Sequence, residues 1–181
     1  MGDFLAAQKT LNLEIKETYH KLETLLAKNK CRIISESEPS GVCVIQGSLW
    51  GTSPKTAQKR TVYSLTQDTK QTSITATSKL TKGYINLTLI GCVFSLVLLA
   101  VCVWIALNLQ SYVVVGEAGF WGWLAQIGGY IDMDKAAIFI QLTWILSAFL
   151  AATLIVEAFI VWKVYSKIDV LPQEILNALE Q

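Results

Sequence analysis

The chain has 181 residues, 52% of them hydrophobic and 16% charged, and a formal net charge of +1. Near-neutrality without an arginine-rich run argues against a nucleic-acid surface, which needs clustered cations to displace phosphate counterions. One histidine, His20, and no HExxH, P-loop, dinucleotide or haem motif leave no recognisable catalytic set, so the expectation is a non-enzyme without metal or cofactor.

The average hides two unlike parts, mixed and polar through residue 82 and largely apolar beyond it. About 80 residues make one small domain with a modest core, leaving apolar surface for a partner or a bilayer to cover. The start, MGDFLAAQKTLNLEIKE, sets acids among its apolar residues, unlike a secretory signal. Ala6 stands where a myristoylation motif wants Ser or Thr. The mature chain is therefore expected to begin at or near Met1 without a lipid.

In chain order, Asp3 offers a helix cap, and Phe4, Ala7, Leu11, Ile15, Tyr19, Leu22, Leu25 and Leu26 form an apolar stripe. The spacing predicts one amphipathic helix ending near Asn29, with Glu17 and Lys21 paired at i,i+4. From Cys31 the period changes to two. CRIISES and VCVIQGSLW read as a hairpin about the turn Glu38 to Gly41. A turn at Gly51 to Pro54 leads into TAQKRTVYSLT, and one at Gln67 to Lys70 into TSITATSKL. The predicted fold class is α+β, an N-terminal helix on a four-stranded antiparallel meander over residues 1–82, followed by a two-helix transmembrane hairpin. The helix can cover one sheet face only. The third strand carries apolar residues of both parities, and Trp50, Tyr63 and Pro54 are the candidate partner-binding residues of the domain.

Thr81, Lys82 and Gly83 lead directly into Tyr84 to Asn108, a run without Asp, Glu, Lys or Arg. At about 1.5 Å per residue it reaches roughly 37 Å, enough to cross a hydrocarbon core of about 30 Å. Transmembrane helix 1 is placed at residues 83–109. An external loop follows at 110–135, where Gly116, Gly119, Gly122, Gly128 and Gly129 break the pattern and Phe120 to Ile127 suggests a short interfacial helix. Asp132 or Asp134 can cap transmembrane helix 2, residues 136–166, whose exit is marked by Trp162, Lys163, Tyr165 and Lys167. An amphipathic cytosolic tail, 167–181, carries Ile175, Leu176 and Leu179 on one side. Lys70, Lys79, Lys82, Lys163 and Lys167 flank the spans on one side, against Lys135 with Glu117, Asp132 and Asp134 on the other. That asymmetry predicts an integral protein of the cytoplasmic membrane with both termini cytosolic.

Within the spans Glu157 is an ionisable residue at a depth where charge is costly, with Asn86 and Thr88 as polar neighbours on the first span. Small residues at i,i+4 on each helix, Gly91 and Ser95, Ser147 and Ala151, Ala148 and Ala152, suit close helix packing. Cys92 and Cys102 read as small apolar fillers, whereas Cys31 and Cys43, on strands joined by a hairpin, are a candidate redox pair.

The layout, with its turn GSLWGTSPKTAQKR and its tail SKIDVLPQEIL, resembles small two-span membrane proteins associated with archaea. The N-terminal domain also looks like part of a helix-grip lipid-binding fold, without the long C-terminal helix that would close its pocket. These resemblances imply architecture alone and carry over no residue roles. The functional expectation is a non-catalytic accessory or regulatory subunit of a larger integral-membrane complex, such as an energy-conserving membrane enzyme. The alternatives are a membrane-tethered module for a lipid or small ligand, and a small oligomeric transporter using Glu157. Partners expected are the lipid bilayer and a larger membrane complex or further copies of the chain.

Overall fold

The segment Ala7–Leu11, expected to begin the first helix, is a strand, β1, in the computed structural model, which describes residues 7–68, 71–116, 119–128 and 130–180. Asp3, Phe4, Lys70, Glu117 and Gly129 lie outside the described residues. Ala7 and Leu11 are buried while Gln8 and Thr10 are exposed, and a spacing of four fits both a helical stripe and every second pair of strand positions. Pairing decides between them. β1 lies antiparallel to β5 (Gln71–Leu80), Ala7 opposite Ala76 and Leu11 opposite Thr72, which satisfies backbone groups that an edge strand would leave bare. The sheet therefore has five strands rather than four.

The chain divides into two compact units, residues 1–88 with 160–181, and residues 89–159. In the first, β1 is followed by α1 (Ile15–Lys28), β2 (Arg32–Ser37), β3 (Gly41–Gln46), β4 (Lys59–Asp68) and β5, in the sheet order β1-β5-β4-β3-β2 with every pair antiparallel. Because β1 and β2 are opposite edges, α1 carries the chain across the whole sheet and buries Tyr19, Leu22 and Leu26 on it. Its end is a Schellman motif: Lys30 adopts φ 55°, Cys31 N donates to Leu26 O at 3.0 Å, and Lys30 N donates to Ala27 O at 3.0 Å. That turn delivers Cys31 to the edge of the sheet.

Strand alternation sorts the sheet into two faces. Lys59, Thr61, Tyr63 and Leu65 of β4 and Thr72, Ile74, Ala76 and Ser78 of β5 point to the side covered by α1. The same side receives α4 (Val170–Ala178), whose Ile175 and Leu176, with the following Leu179, join Leu22, Leu26, Tyr63 and Ile74 in one buried cluster. The tail is thus a docked helix. Its polar side is tied down by Lys9 to Glu180 at 2.9 Å, by Lys9 Nζ donating to Asn177 Oδ1 at 3.2 Å, and by an ion pair of Lys55 with Glu174. The start of α2 (Lys82–Val115) and the end of α3 (Met133–Ser166) also belong to this unit.

In residues 89–159, buried and half-buried positions recur at alternating intervals of three and four. One such series on α2 is Cys92, Ser95, Leu99, Cys102, Ala106 and Leu109; on α3 it is Ala136, Ile140, Thr143, Ser147, Leu150, Leu154 and Glu157. This is the seam between the two helices, which meet at Cys92 with Glu157 and in the cluster of Leu109, Ala136 and Ile140. The remaining surface is exposed and apolar, with Ile90, Phe94, Ile145 and Ile155 each more than 60% exposed. Both helices outrun their expected bounds: α2 continues to Val115 and α3 begins at Met133. Between them, the helix expected over Phe120 to Ile127 is one 3-10 turn, Gly122–Ala125, followed by β6 (Gln126–Ile127) paired with β7 (Tyr130–Ile131). Asn108 Oδ1 accepts the Trp121 backbone N–H at 2.9 Å, and Asp132 Oδ1 caps α3 by accepting from Lys135 N at 3.0 Å.

If α4 is part of the core, truncating it internally should behave like any buried large-to-small change. Leu176→Ala is expected to cost about 2–5 kcal/mol, against under about 1 kcal/mol for the exposed Glu174→Ala. Chemical denaturation of the full chain in mild detergent, followed by circular dichroism, reads the difference; equal effects would place α4 off the core.

Candidate functional site

Where β3 ends and β4 begins, the covered face of the sheet changes from apolar to polar. Gln46, Lys59, Thr61 and Ser78 are all buried there beside Tyr63. Thr61 Oγ1 donates to Gln46 Oε1 at 2.9 Å, so the 2.9 Å contact between Thr61 Oγ1 and Ser78 Oγ has Ser78 as donor, since a hydroxyl carries one proton. Gln46 Nε2 donates to the Tyr63 hydroxyl at 2.9 Å. Burial pushes the Tyr63 phenol above its ordinary range, which the Gln46 bond partly offsets. The network is inert ballast for chemistry but fixes four strand positions to one another, because each buried polar group is costly to leave unpaired.

Lys59 is the centre of the arrangement. Its side chain is fully buried, and Nζ donates to Pro54 O at 2.7 Å and to Ile168 O at 2.9 Å. Pro54 lies in the loop after β3, and Ile168 two residues past α3, so one ammonium joins the sheet, its loop and the exit of the second long helix. Burial lowers the Lys59 pKa to about 8, with Asp169, Cys31 and Glu174 pulling it partly back.

The loop itself, Gly47 to Ala57, is wound tightly. Ser48 N donates to Thr56 O at 2.7 Å and Ala57 N to Ser53 O at 2.8 Å, while Ser53 Oγ and Thr56 Oγ1 lie 2.7 Å apart. Two glycines permit this: Gly47 has φ +80°, and a Cβ on Gly51 would stand 2.0 Å from Thr56 O. From Gly51 the loop reaches the first long helix, its carbonyl accepting the Tyr84 hydroxyl at 2.9 Å. Ala57, Tyr84 and Val164 share a buried cluster, with Leu80 and Ile160 against it. The loop thus holds the first turn of α2 and, through Lys59, the segment after α3.

The residues singled out from sequence fare differently. Trp50 is 80% exposed. Tyr63 and Pro54 are buried, Tyr63 because it shares the inward parity of β4, and Pro54 with its carbonyl committed to Lys59; neither presents a side chain to a partner. Cys31 and Cys43 are both free and fall on opposite faces of the sheet. Cys31 packs against the core cluster with its thiol pKa raised by burial, whereas Cys43 Sγ accepts from Arg60 Nε at 3.0 Å on the uncovered face. Asn86 is exposed, and Thr88 Oγ1 donates to Tyr84 O within its own helix. Glu157 lies in the seam against Cys92, with Oε2 buried and unpartnered. Of the small residues, Ser95 and Ser147 are in the seam and Ala151 is half-buried, while Gly91, Ala148 and Ala152 face outward. Among the described residues no group of three His, Cys, Asp or Glu side chains could hold a metal ion. Comparison of the chain with protein families, curated proteins and solved structures finds no match.

Lys59 was missed by motif reading; parity puts it on the face of Thr61, Tyr63 and Leu65 on β4, but a lysine on that row does not by itself read as buried. Its lowered pKa fixes the sign of a pH effect. Between about pH 8 and the ordinary lysine value, the unfolded chain holds a proton that the folded chain has released, so stability rises with pH across that window. The raised thiol of Cys31 opposes this from about pH 8 upward, as the unfolded thiol begins to ionise, and does so equally in a variant that keeps the cysteine. From pH 7.5 to 9 the thermal midpoint should rise by about 2–5 °C relative to that of Lys59→Met, which lacks the titrating group. Parallel slopes for the two proteins would contradict a buried ammonium.

Proposed function

We propose that this chain is an integral membrane protein in which the two long helices cross the bilayer as a hairpin and the sheet domain works as a non-catalytic accessory or regulatory subunit of a larger membrane complex. Two helices of 34 residues each, with an exposed surface that is almost wholly apolar, support the crossing. Such a surface has no stable place in water, and only closed hydrogen-bonded elements such as helices suit hydrocarbon. The cation asymmetry supports a topology with both chain ends and the sheet in the cytosol.

The observation that carries the accessory reading is the double tether. Tyr84 to Gly51 ties the first helix to the loop, and Lys59 to Ile168 ties the segment after the second, so a shift of one helix end against the other must strain a loop on the domain surface. That loop presents Trp50. A domain built this way can report the state of neighbouring membrane helices to a cytosolic partner, or impose one.

Alkaline carbonate should leave the chain in the membrane pellet, and mild-detergent purification after in-membrane crosslinking should recover a stoichiometric partner whose crosslinks include the loop of Trp50. Release by carbonate defeats the membrane reading. A chain that stays in the pellet but emerges alone after crosslinking defeats the accessory reading.

A further inference from the structure

The face of the sheet that α1 and α4 leave uncovered has an uneven distribution of charge. The pairings Arg32 with Ile45, Ile45 with Arg60, and Arg60 with Lys79 form one row across β2, β3, β4 and β5. All three cations are exposed, and side chains in one row share a face, so Arg60 stands directly beside Lys79 at about 4.8 Å strand spacing. Like charges in directly opposed positions destabilise a sheet. Among the described strand residues of this face the carboxylate is Asp68, eight residues along β4 from Arg60 and so roughly 26 Å away. No salt bridge to Arg32 or Arg60 forms among the described residues.

The rows above the cations are rich in hydroxyls. Ser35, Ser37, Ser40 and Ser64 line a depression of about 260 Å³ together with Cys43 and Val62, and Cys43 is the residue that Arg60 Nε touches. The cationic row is also the end of the sheet from which the chain enters the first long helix: Lys79 is three residues before Lys82. Leu49 and the exposed Trp50 stand at the same end, Leu49 within 3.2 Å of where a Cβ on Gly83 would sit.

We infer that this end of the uncovered sheet face binds the phosphate of an anionic phospholipid headgroup, Arg32 and Arg60 supplying the cations, the serine-lined depression taking the headgroup's hydroxyls, and Trp50 resting in the interfacial zone. The inference rests on the membrane reading proposed above. Charge complementarity selects the occupant: Arg32 and Arg60, which form no salt bridge among the described residues, fit a fixed layer of phosphates, and on the membrane reading the first long helix, starting at Lys82, brings that layer to them. Juxtamembrane cations are drawn to anionic leaflets and guanidinium forks suit phosphate oxygens.

The test uses the full chain in mild detergent, offered equal amounts of phosphatidylglycerol and phosphatidylcholine in mixed micelles and examined by native mass spectrometry. Phosphatidylglycerol should be retained at least about tenfold over phosphatidylcholine, with the preference falling as salt rises. The double variant Arg32→Gln/Arg60→Gln should lose the preference, and Arg32→Lys/Arg60→Lys should keep part of it, both with unchanged circular dichroism. If the glutamine variant does not fold, the salt dependence and the lysine variant still decide. A preference kept by a folded glutamine variant, or one indifferent to salt, overturns the inference. So does equal binding of free glycerol 1-phosphate, which would make the ligand a soluble phosphate ester. Carbonate extraction separates the two failures: a chain that remains in the pellet yet shows no lipid preference sinks this inference alone.

Discussion

Lys59 places a positive charge where no water reaches, with two backbone carbonyls as its hydrogen-bond acceptors and the charges of Asp169 and Glu174 favouring it. A buried ammonium is tolerable only while its acceptors stay in place, so the groups that supply them are held in turn. Pro54 belongs to a loop closed by hydrogen bonds onto Thr56 and Ser53, and Ile168 to the short connection between α3 and α4. Removing either acceptor leaves charge stranded in the interior. The loop, the exit of α3 and the first strand residue of β4 are therefore fixed together by the cost of that stranded charge, and the Gln46, Thr61, Ser78 and Tyr63 network keeps the strands beneath them in register.

From that anchor the two faces of the sheet take different roles. The covered face is a core assembled from three separated stretches: strand interiors, α1 and α4. It is filled by Leu22, Leu26, Tyr63, Ile74, Ile175 and Leu176, which leaves the space between α1 and the sheet packed with side chains. An open groove of about 450 Å³ lies between α1 and α4 instead, beside His20, Lys21 and Leu25. The other face keeps exposed Val62 and Arg60, and α1 and α4 lie on the opposite side. A small domain with one covered face is economical in sequence, and it keeps a surface for interaction.

Much of this was legible in the residues. The change of period at Cys31, the glycine and proline turns and the uncharged run from Tyr84 each named an element that exists. β1 was not legible, because Ala7 and Leu11 satisfy the helical and the extended pattern alike, and what settles the matter is a partner strand some 65 residues away, beyond any local signal. The docking of α4 was half visible: its apolar side was plain at Ile175, Leu176 and Leu179, but amphipathicity does not say which surface will be covered. Tyr63 shows the reverse error, since an aromatic on a strand of mixed parity was assigned outward when the alternation Lys59, Thr61, Tyr63, Leu65 already set it inward against a lysine. A buried lysine runs against every composition-based expectation, so the row containing it reads as surface until its partners are seen.

The contact of Lys9 with Glu180 spans nearly the whole chain, and the core that receives Leu11 also receives Leu176 and Leu179. Synthesis proceeds from β1 to β5, then through both apolar helices, and only afterwards makes α4. The sheet therefore emerges first with part of its covered face bare, and its interior closes only when the segment beyond the second long helix has returned to it. Assembly order is built into the connectivity: the core of the sheet domain is completed only once both long helices have been made and α4 has returned to it.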